Sequence, residues 1–216
     1  MFKGKFVVLA VIAAALLSWQ MMPANVGTAN SGIVDPCSST ADAIGCCLYV
    51  CPAGDGPEMA ACGSIISIQA KDQTGAPIAG IPAADFWVEG CTGGMVLCGG
   101  SGSSNADSAS NDQGRTTMSG AIAAGGCDIG LNVVIQGVVV KDQLTNCTTN
   151  KCLVYQISSP DINGDLIVDI IDLSLFAVGY TSPPKPYVIC YDFNCDGSVD
   201  IIDFSIFAQH YLHSCG

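Results

Sequence analysis

Short apolar segments separated by turn residues fill the middle of the chain and predict β-structure. Residues 66–71 alternate between apolar and polar side chains, as a half-buried strand does. Similar β-branched or aromatic segments are bounded by Gly, Asn, Asp and Pro. They are 86–88, 115–118, 131–140 and 153–157. Several short strands joined by turns favour a β-sandwich over residues 30–159.

The spacing of apolar residues changes after Pro160. Residues 169–180 and 200–212 carry apolar side chains three and four positions apart, which predicts two helices. Apolar residues also lie on the other helix faces, at Leu175 and Ile206. Helices this apolar are not stable alone in water, so we expect the β-structure or a partner to cover them.

An acidic segment precedes each helix, and the second segment repeats the first. An EF-hand loop binds calcium through side chains at positions 1, 3, 5, 9 and 12 and the carbonyl at position 7. In loop 1 (161–172) the predicted ligands are Asp161, Asn163, Asp165, the carbonyl of Ile167, Asp169 and Asp172. In loop 2 (192–203) they are Asp192, Asn194, Asp196, the carbonyl of Ser198, Asp200 and Asp203. The sequence therefore predicts two Ca²⁺ sites.

The two predicted calcium sites differ at loop position 6. This position needs a sharp turn, which glycine makes without steric cost. Loop 2 has Gly197 there, whereas loop 1 has Leu166. A leucine with positive φ costs about 1–2 kcal/mol, so we expect the second site to be the stronger one.

Two loop–helix repeats joined by a proline-containing linker resemble the type I dockerin domain over residues 160–216. The stretch DQTGAPIAGIP at 72–82 resembles bacterial immunoglobulin-like and carboxypeptidase-regulatory-like modules. Together these resemblances imply a mainly β protein. They imply an immunoglobulin-like β-sandwich followed by a small all-α module with two calcium loop–helix repeats.

The dockerin resemblance also implies a partner. Dockerins fold on calcium and bind cohesin modules through loop positions 10 and 11, which are often Ser or Thr. Here those positions are Ile170 and Ile171 in the first repeat and Ile201 and Ile202 in the second. The resemblance thus implies a cohesin-like or other extracellular scaffold protein as partner, contacted through isoleucines.

The N-terminus and the cysteines both indicate export. Lys3 and Lys5 precede an apolar stretch at 6–19, which predicts a signal peptide over residues 1–29, cleaved after Ala24 or Ala29, rather than a membrane anchor. We therefore expect a secreted or cell-surface protein with no membrane span after cleavage. All thirteen cysteines follow this segment, and in an oxidising compartment they predict disulfides.

The pairing of these cysteines stays open in the sequence. We expect Cys190, Cys195 and Cys215 to stabilise the C-terminal region, and an odd total leaves at least one cysteine unpaired. The paired Cys and His spacings typical of zinc sites are missing. His210 and His213 are therefore expected to be surface residues.

Charge and residue types narrow the function. Nineteen acidic against seven basic residues give a net charge of −12, which excludes binding to nucleic acid or anionic membranes. No catalytic residues are predicted. The only histidines are His210 and His213, which excludes a histidine triad, and the β-structure offers only Glu58, Glu89 and scattered Asp residues as acids for a glycosidase. We expect a calcium-dependent docking or adhesion protein. The alternatives are a self-associating structural subunit of an extracellular assembly, and a component or enzyme of a polysaccharide-degrading complex.

Overall fold

A computed structural model describes residues 32–43, 47–57, 59, 64–100, 102–140, 152–181 and 189–216. The predicted signal peptide and the linker prolines lie outside the described residues. The strands are β1 (Thr40–Ala43), β2 (Cys47–Tyr49), β3 (Ile66–Gln69), β4 (Phe86–Gly90), β5 (Met95–Leu97), β6 (Arg115–Met118), β7 (Ala124–Gly126), β8 (Asp128–Ile135), β9 (Val138–Val140) and β10 (Leu153–Ser158). The helices are α1 (Ile170–Thr181) and α2 (Ile201–Gln209), with 3₁₀ turns at Ala83–Asp85 and Ile189–Tyr191.

The described strands form three sheets. β1, β3 and β6 make an antiparallel sheet of three strands with β3 in the centre. A five-stranded sheet has the order β2-β10-β8-β4, with β9 also paired to β8. Within it β2 runs parallel to β10, whereas the other pairs are antiparallel. β5 and β7 form a two-stranded sheet.

The apolar residues of the alternating strand pattern form the main core. Ile66 and Ile68 of β3 are buried, and Ser67 between them is exposed. Phe86 and Val88 of β4 are buried in the same apolar cluster, which also contains residues of β8 and β10. The β-branched and aromatic residues that predicted strands therefore form one continuous core.

The segment predicted as one strand at 131–140 is instead a hairpin. Gln136 and Gly137 have φ angles of 50° and 80°. Two consecutive residues with positive φ are typical of the type I′ turn, whose twist matches the twist of paired strands. β9 consequently folds back on β8, with Ile135 paired to Val138.

The expected division into an immunoglobulin-like sandwich and a separate small all-α module is wrong. The described strands form three small sheets, and the two helices do not make a unit of their own. Phe176 of α1 and Phe207 of α2 are buried in one apolar cluster with Tyr49 of β2 and with Cys51. Two short helices have too little apolar surface to bury these rings between them, so β2 and the residues after it complete the core.

Disulfides join the same parts of the chain. Cys47 pairs with Cys195, Cys98 with Cys215 and Cys127 with Cys190, so each cysteine of the C-terminal region is bonded to the β-structure. A fourth disulfide joins Cys91 to Cys152. Residues 31–216 accordingly form one compact unit.

A membrane span was not expected after signal cleavage. Among the described residues, no helix combines the length and the apolarity needed to cross a membrane.

Candidate functional site

The first aspartate of each acidic loop is buried and accepts hydrogen bonds from the loop backbone. Asp161 accepts from the amide N–H groups of Gly164 (2.9 Å) and Leu166 (2.8 Å) through its two carboxylate oxygens. Asp192 accepts in the same way from Gly197 (2.9 Å). The loop backbone is thus wound around a carboxylate in both repeats.

The last aspartate of each loop closes the loop from both ends. One carboxylate oxygen accepts from the amide at loop position 2 and the other from the amide at position 9. The donors to Asp172 are Ile162 (2.8 Å) and Asp169 (2.9 Å), and the donors to Asp203 are Phe193 (2.7 Å) and Asp200 (2.8 Å). Positions 2 and 9, distant in the loop, are therefore both held by the side chain at position 12.

Positions 3 and 5 lie on the exposed side of each loop. The Asn163 amide nitrogen donates to Asp165 (2.9 Å), and Asn194 donates to Asp196 at the same distance. The Asp165 and Asp196 side chains in turn accept from the amides of position 7, Ile167 and Ser198. The same side-chain contacts occur in both loops, so the sequence repeat is also a structural repeat.

The backbone conformation of the loops differs from the sequence expectation in one respect. Leu166 has the predicted positive φ, at 71°, and Gly197 has a φ of 87°. Position 4 also has positive φ, at 73° for Gly164 and 56° for Cys195. Each loop therefore has one glycine and one non-glycine residue in the left-handed region. Cys195 in the second loop offsets Leu166 in the first, so backbone conformation does not make the first site weaker than the second.

Three of the buried carboxylates in the two loops are not paired with basic side chains of the described residues. Asp161, Asp172 and Asp203 are fully buried, and no Lys or Arg of the described residues forms an ion pair with them. Burial raises the pKa of Asp161 to about 6, and it also raises the pKa of Asp172 and of Asp203. Ionised carboxyl groups in such positions are costly unless a cation neutralises them.

The β-structure leaves space for loop 1 at a glycine. The amide N–H of Gly126 in β7 donates to the carbonyl oxygen of Asp161 (2.7 Å). Gly125 lies against the Asp161 carboxylate so closely that a Cβ atom there would overlap its oxygen. The absence of a side chain at Gly125 is thus what allows β7 and the loop to contact each other.

Helix capping explains part of this arrangement. Asp200 caps α2 by accepting from the amide of Ile202 (2.7 Å), and it forms a capping box with Asp203. Capping does not require Asp161 or Asp192, which lie at the other end of the loops. The complete set of carboxylate and amide oxygens suits a hard cation with many oxygen ligands, as calcium is.

The isoleucines predicted to contact a partner lie at the first turns of the two helices. Their exposed fractions are 59% for Ile170, 52% for Ile171, 61% for Ile201 and 49% for Ile202. Beside them, an apolar groove of about 240 Å³ lies between α1 and α2. It is lined by Leu173, Phe176, Ala177, Tyr180, Ile201 and Phe204. The described β-structure therefore leaves the four isoleucines uncovered, whereas Phe176 in the wall of the groove is buried.

A second group of ligating side chains was not anticipated. Where the chain leaves α2, His210 and His213 approach Cys51 and Asp55, which follow β2. One ligand atom of each residue lies within 4.8 Å of the other three. In the sequence, the signals for this group are an aspartate four residues after a cysteine and two histidines three residues apart.

Comparison with known proteins gives no family assignment. No family model matches the chain, and no curated protein is significantly similar to it. The resemblance to dockerins therefore rests on the residues of the two loops and of the helices that follow them.

Proposed function

We propose that this chain is a secreted calcium-binding protein whose two acidic loops hold α1 and α2 against the β-structure. The observation that carries the proposal is the repeated arrangement of buried carboxylates, wound in both loops by the same backbone hydrogen bonds. Four described disulfides are consistent with an oxidising compartment. The predicted signal peptide supports export.

Calcium would be held by the oxygen-bearing side chains of each loop, together with the backbone carbonyl at position 7. It would supply the positive charge that the buried carboxylates need. Because Asp172 and Asp203 lie in the first turns of the helices and also close the loops, neutralising them stabilises the start of α1 and of α2. Calcium therefore acts here on structure.

Calorimetric titration of the metal-free protein with CaCl₂ tests this proposal. We expect two calcium ions per chain, because both loops present the same ligand set. Asp172→Asn and Asp203→Asn should each remove one ion, since an amide supplies one oxygen where a carboxylate supplies two. Asp112→Asn, in an exposed turn, should leave both sites intact.

A glycine variant tests calcium binding by loop 1 independently of loop 2. In Gly125→Ala, the new methyl group displaces the Asp161 carboxylate, so loop 1 should lose its calcium while loop 2 keeps it. Gly120→Ala is the matched control, because a Cβ atom at Gly120 meets no other atom within 4 Å. Binding of no calcium by the wild-type protein would overturn the proposal. Unchanged binding by both aspartate variants would overturn it too.

Docking through the helices is a second candidate function, favoured by the exposure of the four isoleucines. The sequence repeat relates the two exposed isoleucine pairs, and Ile201 of the second pair also lines the apolar groove between α1 and α2. Exposed apolar surface of this kind is typical of protein-binding sites. The resemblance to dockerins supports a cohesin-like extracellular protein as the occupant.

The docking candidate predicts that binding depends on these side chains. With the immobilised protein as bait in calcium, changing Ile170, Ile171, Ile201 and Ile202 to Ser should reduce capture of the extracellular partner by ~30-fold or more, since one anchor residue contributes ~2 kcal/mol. Ile129→Ser, an equally exposed isoleucine on β8, is the control and should retain the partner. Equal capture by the quadruple variant and the wild-type protein would contradict docking at this surface.

A further inference from the structure

The group of side chains at the C-terminal turn has the dimensions of a metal site. Nδ1 of His210 lies 3.3 Å from Nδ1 of His213 and 3.3 Å from a carboxylate oxygen of Asp55. Nδ1 of His213 lies 3.2 Å from the other Asp55 oxygen and 3.6 Å from Sγ of Cys51. Two nitrogens, a carboxylate and a sulfur therefore face a common centre.

Two of these distances match edges of a tetrahedron around zinc. With Zn–N bonds of ~2.0–2.1 Å and a Zn–S bond of ~2.3 Å, two nitrogen ligands lie ~3.3 Å apart and sulfur lies ~3.6 Å from nitrogen. The separation between the two histidine nitrogens, and that between His213 and Cys51, agree with these values.

Hydrogen bonding satisfies only part of these contacts. Nδ1 of His213 faces His210, Asp55 and Cys51 at the same time. An imidazole nitrogen carries either one hydrogen or one lone pair, so it satisfies one of these neighbours and not all three. A cation at the centre satisfies all four groups together.

Both segments that carry these residues are held in place by the surrounding structure. Cys51 forms a β-bridge with Ala123, and Gly54 makes the turn that returns Asp55 toward the cysteine. On the other side, the carbonyl of His213 accepts from the amide of Val168 in loop 1 (2.8 Å). Ligands fixed in this way on rigid segments form a preorganised site.

The state of Cys51 agrees with a role as a metal ligand. Cys51 is buried and free, whereas the other described cysteines are disulfide-bonded. A thiolate and two imidazoles suit zinc and are poor ligands for calcium, which takes oxygen. The site is therefore distinct from the two acidic loops in position and in chemistry.

We propose that Cys51, Asp55, His210 and His213 bind one zinc ion as a structural site. Four protein ligands leave no open coordination position, as in other structural zinc sites. The ion would join the turn after β2 to the turn after α2. It would thereby fix the C-terminal segment that also pairs with loop 1, through Ile167 and Ser214.

Cobalt titration of the full-length, metal-stripped protein tests the site. With excess calcium present throughout, one Co²⁺ per chain should give the intense visible bands of tetrahedral coordination and a thiolate-to-cobalt charge-transfer band. One equivalent of zinc should abolish both. X-ray absorption of the zinc-loaded protein should show one sulfur ligand at ~2.3 Å and nitrogen or oxygen ligands at ~2.0–2.2 Å.

Single substitutions test which side chains bind the zinc ion. Cys51→Ser should lose the charge-transfer band, and His210→Gln and His213→Gln should each lower zinc affinity at least ~100-fold, because changes to supporting partners alone cost roughly 10–100-fold. Asp112→Asn should bind zinc as the wild-type protein does. Circular dichroism and calcium stoichiometry of each variant show whether it is folded.

Three results would overturn the zinc site. They are the absence of tetrahedral cobalt bands in the wild-type protein, a spectrum without thiolate coordination, and unchanged zinc binding in a folded His210→Gln/His213→Gln variant. Because calcium is measured separately, zinc binding without calcium binding would leave this site standing while the proposed function failed. Calcium binding without zinc binding would overturn this site and leave the proposed function standing.

Discussion

Removal of calcium is expected to lower the melting temperature of the disulfide-bonded protein by about 10–20 °C. Two sites, each saturated at about 100 times its Kd, stabilise the folded state by about 5 kcal/mol together. For a protein of this size, 1 kcal/mol corresponds to about 2–4 °C. We expect one transition, because the helices share a buried core with β2 and are bonded to the β-structure by disulfides.

Calorimetric melting with chelator and after adding back calcium alone measures this effect. Asp172→Asn/Asp203→Asn, which lacks a closing carboxylate in each loop, should melt at the same temperature in both conditions. A wild-type melting temperature that does not respond to calcium would contradict the stabilising role of the loops. So would an equal response from the double variant.

The pH dependence of the same measurement identifies the groups responsible. Burial raises the pKa of Asp161 to about 6 in the metal-free folded state, above the ordinary carboxyl value of the unfolded chain. The folded state therefore binds this proton more tightly, and its contribution to stability is complete near pH 4 and is lost as the pH rises through about 6. Metal-free protein should melt higher at pH 5 than at pH 7. Calcium-loaded protein should show the opposite trend, because calcium requires ionised carboxylates.

The loops were predictable from sequence because their interactions are local. Asp161 and Leu166 are five residues apart, and the spacing of acidic residues alone indicates which side chains share a turn. The helices followed from the apolar spacing, although α2 ends at Gln209, earlier than predicted. Local spacing did not reveal that Cys195 has a positive φ. Because of it, each loop has one non-glycine residue in the left-handed region, and the expected difference between the loops disappears.

The relation of the loops to the β-structure was not predictable in the same way. A composition change at Pro160 suggested a domain boundary, but the contacts that join the two parts are long-range. Cys47 and Cys195 are 148 residues apart in sequence, and no spacing rule selects one pairing among so many cysteines. Gly125, which reads as an ordinary strand glycine, is explained only by its contact with Asp161.

The histidine cluster illustrates the same limit for a binding site. Cys51 and His213 are separated by 162 positions, and neither belongs to a recognised zinc spacing. Cys51-x₃-Asp55 and His210-x₂-His213 are weak signals separately. They become a four-ligand set only because the turn after α2 is folded onto the turn after β2.

Replacing Phe176 is expected to destabilise the whole protein by about 3–5 kcal/mol, the usual cost of removing a buried phenylalanine ring. Phe176 of α1 stacks on Phe193 of loop 2 at 5.7 Å and on Phe207 of α2 at 5.9 Å. Phe193 in turn contacts the ring of Tyr49 in β2 at 5.9 Å. Phe176→Ala therefore leaves a cavity where both helices, loop 2 and the β-structure meet.

Phe204→Ala is the matched control for this prediction. Phe204 contacts the same Phe176 ring at 6.1 Å, but its side chain is 40% exposed at the edge of the cluster. Its loss should cost less than ~2 kcal/mol, because the full burial of such a side chain contributes ~1.5–3 kcal/mol. Thermal unfolding in saturating calcium compares the two variants. Equal destabilisation would contradict a shared aromatic core, whereas a loss confined to helical signal would mean that the helices unfold independently of the sheets.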